Sequence, residues 1–173
     1  MKNIYLLVGA SGSGKTTIAK NLQDVYGYKT IQSYTTRPAR YEGEYGHTFV
    51  SQSEFDKITD KVAYTNYNGY EYCVSEEQID SHDTYVIDPA GVKFLRNTYT
   101  GDKNIKVILI DVSEEERMRR MAERGDTEHD IAKRIATDRI EFAGFCDADF
   151  CVENHDVEHT TEIIRQYIQL TQV

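Results

Sequence analysis

The residues best suited to chemistry lie in one short run near the start of the chain. Gly9-Ala10-Ser11-Gly12-Ser13-Gly14-Lys15-Thr16 fits the spacing G-x-x-x-x-G-K-[ST], which cradles phosphate. The glycines allow a tight turn that aims successive backbone N–H groups at an anion, and the start of the following helix adds its positive dipole end. Lys15 has the reach to contact β- and γ-phosphates, and the Thr16 hydroxyl is placed to ligate Mg²⁺. With Thr17 continuing into the helix, residues 9–17 form a candidate site for the triphosphate of ATP.

A second polar cluster follows, Ser33-Tyr34-Thr35-Thr36-Arg37-Pro38-Ala39-Arg40. Arginine recognises phosphate through two parallel N–H donors. Two arginines three apart, with hydroxyls before them, make a socket for a second phosphate; taken alone, the segment is equally an ordinary solvated loop. A third group, Arg117, Arg120 and Arg124, has the 3/4 spacing that puts all three on one helix face. Arg134 and Arg139 follow, and Met118, Met121 and Ala122 are spaced to pack beneath. Arginines on a mobile helix would neutralise charge on a phosphoryl group in transfer. The competing reading is a solvated face paired with Glu114, Glu115, Glu116 and Glu123.

A phosphate loop alone does not name a reaction. The base-reading tetrapeptide N-K-x-D of G proteins is absent, and D-x-x-G, at residues 24–27 and 88–91, is a weak pattern. A transporter-type ATPase needs a longer chain. Two phosphate-binding segments and a mobile arginine-bearing stretch suit a small-molecule kinase, which must hold an acceptor phosphate beside ATP and close over both to exclude water.

The elements that would position these residues alternate between strand and helix, as in an α/β protein with a mainly parallel sheet. Strands are expected at Asn3–Val8, 29–32, 84–88, 105–111 and 150–152, and helices over 16–26 and 157–170. Pro89 suits a first helical position, and Ser113 with Glu116 reads as a capping box. Residues 34–82 and 117–142 depart from the βα repeat. The first of these holds another capping box at Ser51 and Glu54. It also holds a hairpin signal, Asn68-Gly69, among Tyr64, Tyr67, Tyr70 and Tyr72; these tyrosines would pack on one another across the strands or stack on a base.

The 173 residues make one domain, long enough to bury a core without disulfide or metal staples. A formal net charge of −9 argues against nucleic acid as a partner. No apolar run is long enough for a membrane span, and the first residues read as a strand rather than a signal peptide. Cys73, Cys146 and Cys151 are not spaced as a disulfide or zinc framework, so small buried thiols in a reducing cytoplasm are expected. His155 and His159, four apart, have no third ligand converging on them and read as solvated surface.

Several of these segments, taken in order, closely resemble the guanylate kinase family: Gly-x-Ser-Gly-x-Gly-Lys-Thr at 9–16, Ser33-x-Thr-Thr-Arg37-x-x-Arg40, Gly43-Glu44, Thr48-Phe49-Val50-Ser51, Asn68-Gly-Tyr-Glu-Tyr72, Ile87-Asp88, Arg120-x-x-x-Arg124-Gly125, Ile131-x-x-Arg134 and Val152-x-Asn154. The resemblance covers essentially the whole chain. It implies a P-loop NTPase fold, a three-layer α/β/α sandwich with a mainly parallel sheet. The core would be 1–33, 83–116 and 143–173, with 34–82 as the inserted subdomain that binds the nucleoside monophosphate and 117–142 as a helical lid. Ser33, Arg37, Arg40 and Tyr72 would hold the acceptor phosphate, with Asp88 near the acceptor and Asn154 near the adenine of ATP. The implied activity is Mg²⁺-dependent transfer from ATP to GMP or dGMP, with Lys15, Arg37, Arg120, Arg124 and Arg134 catalytic and the enzyme a monomer or homodimer.

The pattern also has departures. The family reads the guanine edge with a glutamate and a serine, and the matching positions here are Ala63 and Val74, with Cys73 replacing a glycine. A tyrosine that helps hold the acceptor phosphate is His47. Ribose 1,5-bisphosphate phosphokinase, a relative, resembles this chain near His47 and Val74, so a sugar-phosphate kinase is an alternative reading, as is a nucleotide-binding module without catalysis.

Overall fold

In chain order the elements are β1 (Asn3–Val8), α1 (Lys15–Tyr26), β2 (Ser33–Thr35), β3 (His47–Phe49), α2 (Gln52–Phe55), β4 (Lys61–Tyr67), β5 (Tyr70–Ser75) and α3 (Glu76–Ser81). There follow β6 (Thr84–Val86), α4 (Pro89–Thr98), β7 (Asn104–Asp111), α5 (Glu114–Glu123), α6 (Glu128–Glu141), β8 (Phe150–Glu153) and α7 (Val157–Thr171). The structure is a computed structural model that describes residues 3–39, 41–67 and 69–172. Arg40 and Asn68 lie outside the described residues, as does the side chain of Tyr67.

The first strand explains the layering. All six residues of β1 are buried, and successive side chains point to opposite faces. Ile4, Leu6 and Val8 pack with Val92 and Leu95 of α4. Tyr5 and Leu7 pack with Ile18 and Leu22 of α1 and with Ile164 and Ile168 of α7. One strand thus serves two cores, and helices cover both faces of a parallel sheet in the order β6-β1-β7-β8.

The excursion at 34–82 forms a second, mixed sheet in the order β3-β2-β5-β4. Its β4–β5 hairpin closes between the paired residues Tyr67 and Tyr70, and Gly69 takes a φ of 81° in the turn. The described tyrosine side chains of the hairpin, those of Tyr64, Tyr70 and Tyr72, have separate surroundings. Tyr64 meets Phe94 and donates to Glu71, Tyr72 meets His47, and Tyr70 is exposed. The second excursion is a helical hairpin, α5 and α6, pinned by Met121, Ile131 and Ile135.

Several local expectations need correction. Residues 29–32 form no strand; only Thr30 bridges Thr84, because the chain leaves the core for β2 immediately afterwards. The strand expected at 84–88 stops at Val86 because Asp88 caps α4, accepting from Gly91 N at 2.6 Å. The Ser113 hydroxyl accepts from Glu116 N, but the Glu116 carboxylate pairs with Arg119 and Arg120 instead of returning to Ser113. Met118 and Ala122 are exposed, leaving Met121 alone beneath α5. Cys73 is buried as expected, whereas Cys146 and Cys151 are exposed.

Candidate active site

The phosphate loop leaves the C-terminal end of β1 and enters α1, the place where open parallel sheets bind ligands. Glycine is required here by geometry. Gly14, the N-cap of α1, has a φ of 91°, and at Gly12 (φ 81°) a Cβ would lie 2.8 Å from the Arg117 carbonyl. Ser13 is buried, while Gly9, Ser11 and Lys15 line the cleft. Thr16 and Thr17 are exposed on the first turn of α1.

Lys15 Nζ donates to the carbonyls of Gly9 (2.5 Å) and Ala10 (3.1 Å). Burial pushes its ammonium down to about 8; the charges of Asp138 and Asp88 oppose that shift, and those of Arg117 and Arg124 add to it. The protonated form is therefore lost as pH rises through that value. We expect kcat/KM for ATP, which reports the free enzyme, to fall above about pH 8, with Lys15→Arg flattening that limb because guanidinium stays charged. A wild-type profile flat from about pH 6.5 to about 9.5 would contradict this.

Asn154, which the resemblance puts near the adenine of ATP, is held by partners inside the protein. It is 1% exposed; its amide donates to Ser13 O (2.8 Å) and accepts from Thr160 Oγ1 (3.1 Å). The side chain braces the loop from beneath.

In the same cleft, β2, β3 and β5 bring together Ser33, His47 and Tyr72. Ser33 Oγ and His47 Nδ1 are 2.9 Å apart, and the His47 and Tyr72 rings meet at 5.5 Å. Arg37, immediately after β2, stacks over Phe49 and makes a two-point pair with Glu44 at 2.7 and 3.2 Å. Asp88 and Glu141 also line the cleft. Burial raises both carboxyl groups; N–H groups of α4 oppose the shift at Asp88, and the nearby Asp88 charge adds to it at Glu141.

The arginines divide. Arg134 lines the cleft. Arg120 is partly buried, tied to Glu116 and to the Asn154 carbonyl, and Arg124 is exposed and paired with Asp126. Arg117, expected on the same face, turns inward and is 7% exposed.

A family model for guanylate kinase matches residues 1–171. The chain belongs to the guanylate kinase family. It is 31% identical to the guanylate kinase of Neisseria gonorrhoeae over 90% of this chain and 82% of that one. It is 25% identical to the guanylate kinase of Prochlorococcus marinus subsp. pastoris over 98% of both. The crystal structure of guanylate kinase from Anaplasma phagocytophilum shares the fold, with a TM-score of 0.70 at 24% identity, covering 99% of this chain and 87% of that one. Membership makes the chain a nucleoside monophosphate kinase that transfers phosphoryl groups from ATP. It gives no support to the sugar-phosphate or non-catalytic alternatives. Among the described residues, no helix is long and apolar enough to cross a membrane.

Sequence reasoning missed several cleft or near-cleft residues, Glu141 among them. Glu44 appeared only as a family match, yet it orients Arg37. Asp138 follows Arg134 by four residues on α6, a spacing that could have placed both on one face. Tyr85 and Thr65 also line the cleft, and nothing in their local sequence marks them.

Proposed function

We propose that this cleft carries out Mg²⁺-dependent transfer of the ATP γ-phosphoryl group to the phosphate of GMP or dGMP. The observation carrying this reading is one cleft lined both by the phosphate loop and by Ser33, His47 and Tyr72. In it, residues 9–17 would bind the donor phosphates, and Ser33, Arg37, His47 and Tyr72, with Arg40, would bind the acceptor phosphate. An acceptor oxygen attacks the γ-phosphorus as the bond to the β-phosphate oxygen breaks, and ADP leaves. That oxygen is already anionic, so no protein base is required. Lys15 and Arg134 would stabilise the charge on the transferring group, with Arg120 and Arg124 brought in by movement of α5 and α6 as a lid.

The Thr16 hydroxyl and the Asp88 carboxylate are oxygen donors of the kind Mg²⁺ prefers. Among the described residues no group of three acidic, histidine or cysteine side chains gathers for a metal, which suits an ion carried mainly by nucleotide phosphates. Magnesium would supply charge neutralisation on the β- and γ-phosphates. We place the enzyme in the cytoplasm, as a monomer or homodimer whose cleft is built within one chain.

The test is a panel of nucleoside monophosphates with Mg-ATP, each product identified chromatographically. The expected result is GDP from GMP; release of ADP with none of the acceptor monophosphates converted to its diphosphate would overturn the reading. The acceptor end has its own test. Arg37→Ala removes a charge-assisted contact worth about 1.5–3 kcal/mol, so the acceptor KM should rise roughly 10- to 150-fold. The KM for ATP should stay within a few-fold. Loss of ATP affinity with the acceptor KM unchanged would assign the loop to the donor.

A further inference from the structure

The inward turn of Arg117 creates a contact that neither donor nor acceptor binding requires. Asp138 Oδ2 accepts from the backbone N–H of Ser11 at 3.0 Å, and Oδ1 lies 3.2 Å from the Ser11 hydroxyl. Arg117 Nη1 donates to the same carboxylate at 2.9 Å and to the Ser11 carbonyl at 3.2 Å, while Nε donates to Val112 O. The two charged side chains are 9% and 8% exposed. A carboxylate of α6 thus sits on the phosphate loop, on the side where Ser11 and Lys15 line the cleft.

The placement on α6 creates a conflict. Arg134 and Asp138 are one helical turn apart and both line the cleft. A movement of α6 that brings the Arg134 cation over a phosphoryl group also carries the Asp138 anion toward it. The carboxylate and a phosphate oxygen cannot share the Ser11 N–H, and two anions at that spacing repel strongly in a partly desolvated cleft.

We propose that Asp138 is an internal competitor of the donor phosphates: it holds Ser11 through a hydrogen-bonded contact that ATP must displace, so filling the loop and shifting α6 are one event. Arg117 holds the carboxylate in place through its own hydrogen bond, and stays with it when it leaves. The proposal rests on the reading of residues 9–17 as the donor site.

Asp138→Asn separates competition from mere structural support. The amide keeps the shape and one acceptor while the charge goes, leaving Arg117 buried without its counter-charge. Binding of a non-hydrolysable ATP analogue with Mg²⁺ is measured by calorimetry, alongside the thermal midpoint. We expect the midpoint to fall and the analogue to bind about fivefold or more tighter. A purely structural role lowers the midpoint and leaves affinity unchanged or weaker, and that result overturns the proposal. Should Asp138→Asn fail to fold, the double variant Arg117→Met/Asp138→Leu removes both charges at similar volume, and it must also bind the analogue more tightly than wild type. Wild type that binds no analogue overturns the donor-site reading and this proposal together. Wild type that binds, with a folded variant that binds no tighter, overturns this proposal alone.

Discussion

Lys15→Ala should lower turnover by at least ~10²-fold, because in the proposed donor site it deletes a charge that would act on the transferring phosphoryl group. The structure gives the physical reason for so large an effect from one side chain. Lys15 leaves the first turn of α1 and curls back over its own loop, where its ammonium donates to the carbonyls of Gly9 and Ala10. A group already placed needs no reorganisation during the reaction. Its lowered affinity for a proton shows that the surroundings hold the charge reluctantly, which favours exchanging carbonyl partners for anionic phosphate. The measurement is kcat at saturating Mg-ATP and acceptor, with Mg-ADP binding determined separately. Near-normal turnover in a variant that binds Mg-ADP normally would remove phosphoryl transfer at this loop from consideration.

The second large expected effect concerns what the acceptor site can refuse. A site built to hydrogen-bond its substrate discriminates by ~10⁴ or more, because a wrong substrate leaves buried polar groups unpaired, whereas an apolar wall manages only about 10–200-fold. Ala63 and Val74 stand where the family places a carboxylate and a hydroxyl. They pair directly across β4 and β5, are 2% and 0% exposed, and belong to the core with Ile87 and Val92. The hairpin offers the cleft Thr65 and Tyr72 instead. GMP is therefore expected to be accepted with kcat/KM no more than about 200-fold above that of AMP. A ratio of a thousandfold or greater would show that another group reads the base edge, with Asn66, exposed on β4, as the side chain to test next.

The sequence by itself determined the donor loop, the α/β alternation and the family. Each is written in contiguous residues: a phosphate loop is a turn whose glycine spacing is the structure, and β1 is an unbroken apolar run whose alternation feeds two cores. The resemblance likewise supplied Ser33, Arg37 and His47 as a group, and the structure brings Ser33 and His47 within hydrogen-bonding distance. Only the tertiary structure decided the rest, because the deciding neighbours are far apart in the chain. Helical spacing alone put Arg117 in one row with Arg120 and Arg124; Asp138, from another helix, and the carbonyl of Ser11 draw it inward, since a guanidinium is buried only where a carboxylate and carbonyls receive it. The motif puts Asn154 near the adenine, and the structure shows that Ser13 O and Thr160 engage its amide beneath the loop. Arg37 reads as an open anion socket, and Glu44 holds it as a pair. Local sequence records which groups can carry charge or turn the chain; which partner each charge meets is set by packing between segments that no local pattern links.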